Sequence, residues 1–201
     1  FSMTAKPFAV GVRVQHNQDM INMSQYGHKY KDILPEASYK LTYKAKNGRG
    51  VYSFCMCPGG EVVAAASEKN RLVVNGMSNY ARSGVNANAA LVAQVDARDY
   101  GTGVFAGLNY QRALEERAFM LGGGNYSAPL ARMEDFLAHK KTKRLGEIAP
   151  TYPLGYTFSS MDDVLGEDLA NVLRTAAVDM NRRLNGFTHP DALLTAVETR
   201  T

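Results

Sequence analysis

The stretch whose reading decides the fold is Val51–Glu68, VYSFCMCPGGEVVAAASE. It reads as a strand bearing two cysteines, a tight turn at Pro58-Gly59-Gly60, and a second strand over Glu61–Ala66. Side chains of a strand alternate between faces, so Cys55 and Cys57 are expected on the same face. Upstream, Ser38–Ala45 alternates Tyr39, Leu41 and Tyr43 with lysines and Thr42. It meets the turn signal Asn47-Gly48-Arg49-Gly50 and returns as Val51–Cys57. Downstream, Lys69-Asn70 leads into Leu72–Val74. The middle of the chain is therefore predicted as a run of antiparallel hairpins.

Outward from this centre, Lys6–Val14 sets Phe8, Val10, Val12 and Val14 against Ala9, Gly11 and Arg13, a strand pattern. Gln15–Tyr26 is polar and predicts a short helix opening near Asn17. Ala89–Val95 is apolar enough for a buried strand. The second half changes period. Val104–Leu121 places Phe105, Leu108, Leu114, Ala118 and Leu121 near one helical face, and Gly122-Gly123-Gly124 stops it. A short helix at Leu130–Ala138 runs into a charged stretch over Asp135–Glu147, read as a mobile connection. Pro150–Gly155 reads as a loop, Leu165–Leu184 as an amphipathic helix ahead of Gly186, and Leu193–Thr201 as a closing strand that sets Glu198 and Arg200 on one side for an ion pair. The expected class is α+β, an antiparallel or mixed sheet of hairpins with two to three helices packed on one face.

Composition excludes several classes. A chain of 201 residues, 45% hydrophobic and 21% charged, buries a sizeable core and is not a disordered segment. Its apolar runs, such as Val62–Ala66 and Ala89–Ala93, fall far short of the ~20 residues of a membrane helix. No signal-peptide pattern opens the sequence, and Phe1-Ser2-Met3 is open to a native or a non-native origin. The net charge of +4 is concentrated at Lys140, Lys141, Lys143 and Arg144 and at Arg182-Arg183. Without Trp or an aromatic ladder beside them, these clusters read as solvated surface, and nucleic acid is not the expected partner. Two cysteines one residue apart do not staple a domain of this size, and His16, His28, His139 and His189 lack ligand spacing. A reduced, cytoplasmic protein without a metal is expected.

The candidate chemistry gathers at three places. Cys55 and Cys57 read either as redox or acid thiols, activated in part by the amides of Gly59 and Gly60, or as small side chains packing a strand face. Gly59 and Gly60 let a planar ring or another backbone approach closely, or simply make the turn. Asn75, Ser78, Tyr80, Arg82 and Asn86, with Asn79 and Asn88 among them, form a dense polar stretch. It suits orientation of a polar ligand, or the backbone of its own loop. Arg82 is the best single anchor for an anion. Gly122-Gly123-Gly124 is a helix stop or an amide nest, and no strand–GxGxxG–helix unit is present.

The segments AKPFAVGVRV (Ala5–Val14), NGRGVYSFCMCPGGEVVAAASE (Asn47–Glu68), VNGMSNYARSGVNANAALV (Val74–Val92), FMLGGGNYSAP (Phe119–Pro129) and LLTAVETRT (Leu193–Thr201) resemble a bacterial family of FAD-dependent dehydrogenase-like proteins. The CMCPGG run carries most of the resemblance. It implies that residues 1–201 form a substrate-side domain, with residues 104–187 as a helical subdomain within it, while the FAD-binding part of the same parent chain lies outside. It further implies FAD as cofactor, with NAD(P)H as a reductant, a small-molecule substrate of unknown identity, and a fragment inactive on its own. Cys55 and Cys57 would serve catalysis, Gly59, Gly60, Arg200 and Thr201 the cofactor, and Asn75, Ser78, Tyr80, Arg82 and Asn86 the substrate. A non-catalytic module for a small ligand or protein partner, and an RNA-acting flavoprotein domain, are the alternative readings.

Overall fold

The computed structural model describes residues 3–200. Its centre is strand β1 (Phe8–Asn17), which pairs antiparallel along its whole length with β6 (Asn86–Val95), from Phe8 opposite Val95 to Asn17 opposite Asn86. The seven-stranded sheet runs β2 (Thr42–Lys44), β3 (Gly50–Cys57), β6, β1, β9 (Leu193–Glu198), β7 (Ala128–Arg132) and β8 (Tyr156–Phe158). All neighbours are antiparallel except β7 and β8. A second sheet of two strands, β4 (Gly60–Ala64) and β5 (Val74–Ser78), stands apart.

Alternation along β1 assigns the two faces of the large sheet. Arg13 points beneath β5, because a Cβ placed on Gly76 would fall 1.9 Å from its Nη2. Val10, Val12 and Val14, all buried, therefore point the other way with Ala89, Leu91 and Ala93. That face receives the helices. The amphipathic α6 (Glu167–Asn181) inserts Leu169, Leu173, Ala177 and Met180 into the buried cluster shared with β1 and β6. The cluster also takes Leu114 and Ala118 of α3 (Ala106–Leu121) and Val164 and Leu165 of α5 (Met161–Leu165). Three further pieces complete the helices, α1 (Gln18–Tyr26), α2 (Ala97–Tyr100) and α4 (Met133–Leu137); α5 starts on the Ser160 cap. The α+β class expected from the sequence is the class observed.

Several boundaries move for identifiable reasons. The Asn47–Gly50 turn does make a hairpin, Lys44 facing Gly50 and Thr42 facing Tyr52. The Pro58-Gly59-Gly60 turn does not. After Cys57 the chain leaves the large sheet, β3 takes β6 as its other neighbour, and β4 pairs with β5. The crossing is fixed by Gly59, whose φ of 50° and whose contact with the Arg82 carbonyl exclude a side chain. β1 runs on to Asn17 instead of yielding to a helix at Gln15, because residues 15–17 remain paired with β6. Asn17 then caps α1, its side chain accepting from the Met20 N–H. The helix expected over Leu130–Ala138 divides into β7 and the one-turn α4, since Leu130, Ala131 and Arg132 pair with β9. The helix expected over Leu165–Leu184 is present as α6, starting at Glu167 because Gly166, with φ of 86°, separates it from the short α5 that precedes it. The charged connection to Glu147 is pinned rather than loose. Buried Thr142 donates to Asp135 Oδ2 (2.8 Å) and accepts from the Arg132 N–H (2.8 Å), and the Glu147 N–H donates to Asp191.

Candidate functional site

Beneath β5 lies a polar core built on one residue. Arg13 is fully buried. Its Nε and Nη2 both donate to Asn88 Oδ1, at 3.0 and 2.6 Å, and Nη2 also donates to the Cys55 carbonyl at 2.8 Å. Nη1 lies 3.5 Å from the carboxylate of Glu198, itself 1% exposed, so the two form a buried ion pair. Glu198 thus faces Arg13 and not Arg200, correcting the ion pair expected along the last strand. The Cys55 contact explains the geometry of the CMC run. Cys55 has a φ of 43°, and the pairing of β3 with β6 slips between Phe54 and Cys57, a bulge that ends period-two alternation. The two thiols consequently do not share an environment. Cys55 is exposed, whereas Cys57 is half-buried with its Sγ 3.5 Å from Arg13 Nη2 and donating to the Cys55 carbonyl at 3.2 Å. Burial pushes the Cys57 thiol above its ordinary range, and the Arg13 guanidinium offsets this only in part. Cys57 is therefore a neutral thiol at pH 7, not a thiolate.

At one end of the strands, where β1 passes into α1 and β4 begins, the surface opens into a groove of about 1070 Å³. Its walls come from five parts of the chain: the start of α1, Gly60-Glu61, Gly84–Asn86, and the segments 147–151 and 185–189. Hydrogen bonds tie these walls together. Thr151 Oγ1 accepts from Gln15 Nε2 and from the Val62 N–H, both at 2.8 Å. Asn86 Nδ2 donates to the Ala149 carbonyl at 2.8 Å. Gln18, nearly buried, accepts from the Gly59 N–H at 2.7 Å, and its own N–H donates to the Val85 carbonyl at 2.8 Å. Its apolar lining comes from Met20, Met23 and Ile148, with Val85, 76% exposed, at the edge. The polar lining includes Asp19, Glu61, Glu147 and His189, and no Lys or Arg. His189 Nδ1 accepts from the Asp191 N–H at 3.2 Å, so in the neutral ring Nε2 carries the proton.

The residues singled out from the sequence scatter relative to this groove. Gly60 and Asn86 line it. Gly59 lies against its rim, packed on the Arg82 carbonyl. Asn75 turns its side chain to the Gly76 N–H, and the Ser78 hydroxyl donates to the Pro58 carbonyl at 2.7 Å, so both serve their own loop. Tyr80 is fully exposed, and Arg82, with φ of 52°, makes no side-chain hydrogen bond or ion pair among the described residues. Arg200 is engaged on every nitrogen. Nε and Nη2 bind the buried carboxylate of Glu115 at 2.9 and 2.8 Å, Nη2 reaches Glu68 at 3.5 Å, and Nη1 donates to Ser67. Burial acts to raise the Glu115 carboxyl, but hydrogen bonds from Arg200, Gln111 and Thr199 hold it below its usual range. A cofactor contact through Arg200 requires this clasp to open. Thr201 lies outside the described residues. Lys140, Lys141, Lys143 and Arg144 are exposed and none lines the groove. Among the described residues no helix is long and apolar enough to cross a membrane.

Sequence reasoning passed over Glu61, Glu147, Thr151 and His189. His189 is 173 positions from Asn17-adjacent His16 in the chain and was set aside for lack of spacing, although the fold brings it to the groove. Beyond Gly60 and Asn86, Asn17 carried a local signal, as a helix cap.

Two comparisons place these observations. Residues 7–201 match the family described as FAD-dependent protein, C-terminal domain-like. The chain is also 47% identical over 203 residues to an uncharacterised protein of Clostridium beijerinckii, covering all of this chain and 38% of that protein. The chain thus spans less than half the length of the relative it matches.

Proposed function

The chain belongs to the family of FAD-dependent protein C-terminal domains, and on that premise we propose that it is the substrate-binding, flavin-covering domain of an FAD-dependent oxidoreductase. The groove is the observation that carries the reading: it is large enough for a small molecule and walled by five chain segments, several of them tied together through buried amides.

The donor set decides which part of the cofactor this chain meets. A diphosphate needs cationic side chains or free backbone amides, and the groove lining offers three carboxylates and no Lys or Arg. Asp19 also occupies the first turn of α1, where a phosphate would otherwise find the helix N-terminus. The residues here do not fit the phosphates of FAD, nor those of NAD(P)H. They do fit an uncharged ring or a substrate. The dinucleotide is therefore held by the remainder of the parent protein, and this chain closes over the reactive end.

In that role the flavin supplies the redox chemistry. Met20, Met23 and Ile148 offer an apolar surface against which the substrate displaces water. Asn86 and the groove carboxylates orient it by accepting its hydrogen bonds. His189 holds a proton at Nε2 that a reacting group can take up or share.

The test is the visible absorption spectrum of the purified complete parent protein, followed by anaerobic titration with NADH and NADPH. An oxidised-flavin spectrum bleached by reductant in the parent, with no activity from residues 1–201 alone, is the expected result. A folded parent that is colourless and takes up no added FAD overturns the reading.

A further inference from the structure

Two walls of the groove hang from one residue that does not itself line it, Asp191. Asp191 stands just before β9, and the pairing of β7 with β9 sets Arg132 opposite Leu193, within reach of the aspartate. Arg132 Nη2 donates to Asp191 Oδ1 at 2.6 Å, and the Glu147 N–H donates to Oδ2 at 3.1 Å. A Cβ placed on Gly146 would fall 1.8 Å from Oδ1, so the chain at 146–147 lies directly on the carboxylate. The main chain of Asp191 serves the other wall. Its N–H donates to His189 Nδ1 at 3.2 Å, and the Ala192 N–H donates to the His189 carbonyl at 2.9 Å. The Glu147 N–H, and after it the Arg132 guanidinium, hold the Asp191 carboxyl below its usual range, so the anchor is ionised at pH 7. Hydrogen bonds to an ionised acceptor are stronger than neutral ones. Residue 191 is thereby fixed by its side chain, and its N–H stays aimed at Nδ1. A neutral imidazole carries one N–H, and the bond made at one ring nitrogen decides which nitrogen holds it.

We propose that Asp191 is the positioning residue of this groove: it ties the 147–151 wall to the 185–189 wall and keeps the proton of neutral His189 on Nε2. This rests on the groove being the substrate site argued above, and it deepens that reading by naming the residue that makes His189 a donor. A substrate group that meets His189 is then an acceptor, such as a carbonyl or hydroxyl oxygen. Without the anchor both walls lose their common point, and the ring is free to exchange one tautomer for the other.

The experiment uses the complete parent protein with isotope-labelled histidine, whose ring carbon shifts separate the two neutral tautomers by NMR. The His189 signal is assigned by its loss in His189→Gln. Amide exchange over residues 147–151 is followed by mass spectrometry, and far-UV circular dichroism checks that each variant is folded. In the wild type His189 should carry its proton on Nε2. Asp191→Ala should weaken that preference by roughly 2- to 10-fold, the worth of one hydrogen bond, and speed exchange over 147–151 by about tenfold. Asp191→Asn keeps an acceptor oxygen and should recover most of both effects. Arg200→Met disturbs Glu115, Glu68 and Ser67, none of which lines the groove, and should leave both readouts at wild-type values. A wild-type His189 protonated on Nδ1 overturns the proposal. So does a folded Asp191→Ala with tautomer and exchange unchanged, an Asp191→Asn no better than Asp191→Ala, or the same losses in Arg200→Met. Neither readout needs flavin. A colourless parent that shows the Asp191 effects therefore refutes the oxidoreductase reading alone, and a yellow parent without them refutes only the positioning role.

Discussion

Replacing Arg13 by methionine is the sharpest perturbation of this fold. The guanidinium has no exposed surface and makes contacts that nothing else can supply. They are two hydrogen bonds to Asn88 Oδ1, one to the Cys55 carbonyl, and an ion pair with Glu198 at 3.5 Å. Arg13→Met keeps much of the volume and removes the charge, leaving the carboxylate of Glu198, 1% exposed, without its cation. Breaking a buried pair from one side costs about 3–5 kcal/mol, a large part of the ~5–15 kcal/mol that holds a domain together. Because the chain has no Trp, unfolding is best followed by far-UV circular dichroism in urea. The double variant Arg13→Met/Glu198→Met removes both charges and should recover at least half of the loss, since an apolar pair of similar volume often replaces a buried ion pair at little cost. Loss of the donor to the Cys55 carbonyl should also release the bulge and speed the labelling of Cys57 by a thiol reagent. A single variant that costs under about 1 kcal/mol, or a double variant that costs the sum of its two singles, refutes the coupling on which this account rests.

Other perturbations test separate parts of the structure. His16 is fully buried, and desolvation lowers its pKa from 6.5 to about 4. A depressed folded value means stability is fully present above pH 6.5 and falls by about 3 kcal/mol as pH drops toward 4. Urea midpoints that are equal at pH 7 and pH 4.5 in the wild type, or a slope that survives in His16→Gln, would contradict this. Gly76→Ala places a Cβ 1.9 Å from Arg13 Nη2 and 2.2 Å from Asn88 Oδ1, and should cost about 1–3 kcal/mol in the same denaturation assay. A neutral result would mean β5 is free to lift. Arg200→Met leaves the buried Glu115 carboxylate without its two-point partner and should destabilise by about 2 kcal/mol, whereas a residue reserved for a cofactor would be replaceable at no cost to the apo protein. With a thiol reagent at pH 7.5, Cys55 should label several-fold faster than Cys57, and the reverse order would show that the bulge is wrongly described.

The sheet was legible because its signals are local. β1 and β6 are written in alternating or continuous apolar runs, and the Asn47–Gly50 turn closes its hairpin at the expected place. Pairing partners were not legible. Pro58-Gly59-Gly60 has the composition of a hairpin turn, but whether two strands pair or part is decided by what meets the turn from elsewhere. Here Gln18 accepts the Gly59 N–H and Gly84 donates to the Gly59 carbonyl at 3.1 Å, so the turn becomes a crossing between sheets. β7 was hidden in a helical pattern for a similar reason: its partners, β9 and β8, lie more than 25 residues further along the chain.

The same distinction explains the site. The CMC run stands out as a string of letters, yet its prominence belongs to structure: Cys55 is bent into a left-handed conformation by a bond from Arg13, and Cys57 is kept neutral by burial. The dense polar stretch behaves likewise, since Asn75 and Ser78 satisfy backbone within reach and only Asn86, at its far end, lines the groove. A groove wall assembled from residues 17, 61, 86, 147 and 189 has no spacing for a motif to record. What betrays it is visible only after folding, when five segments far apart in the chain meet around one opening.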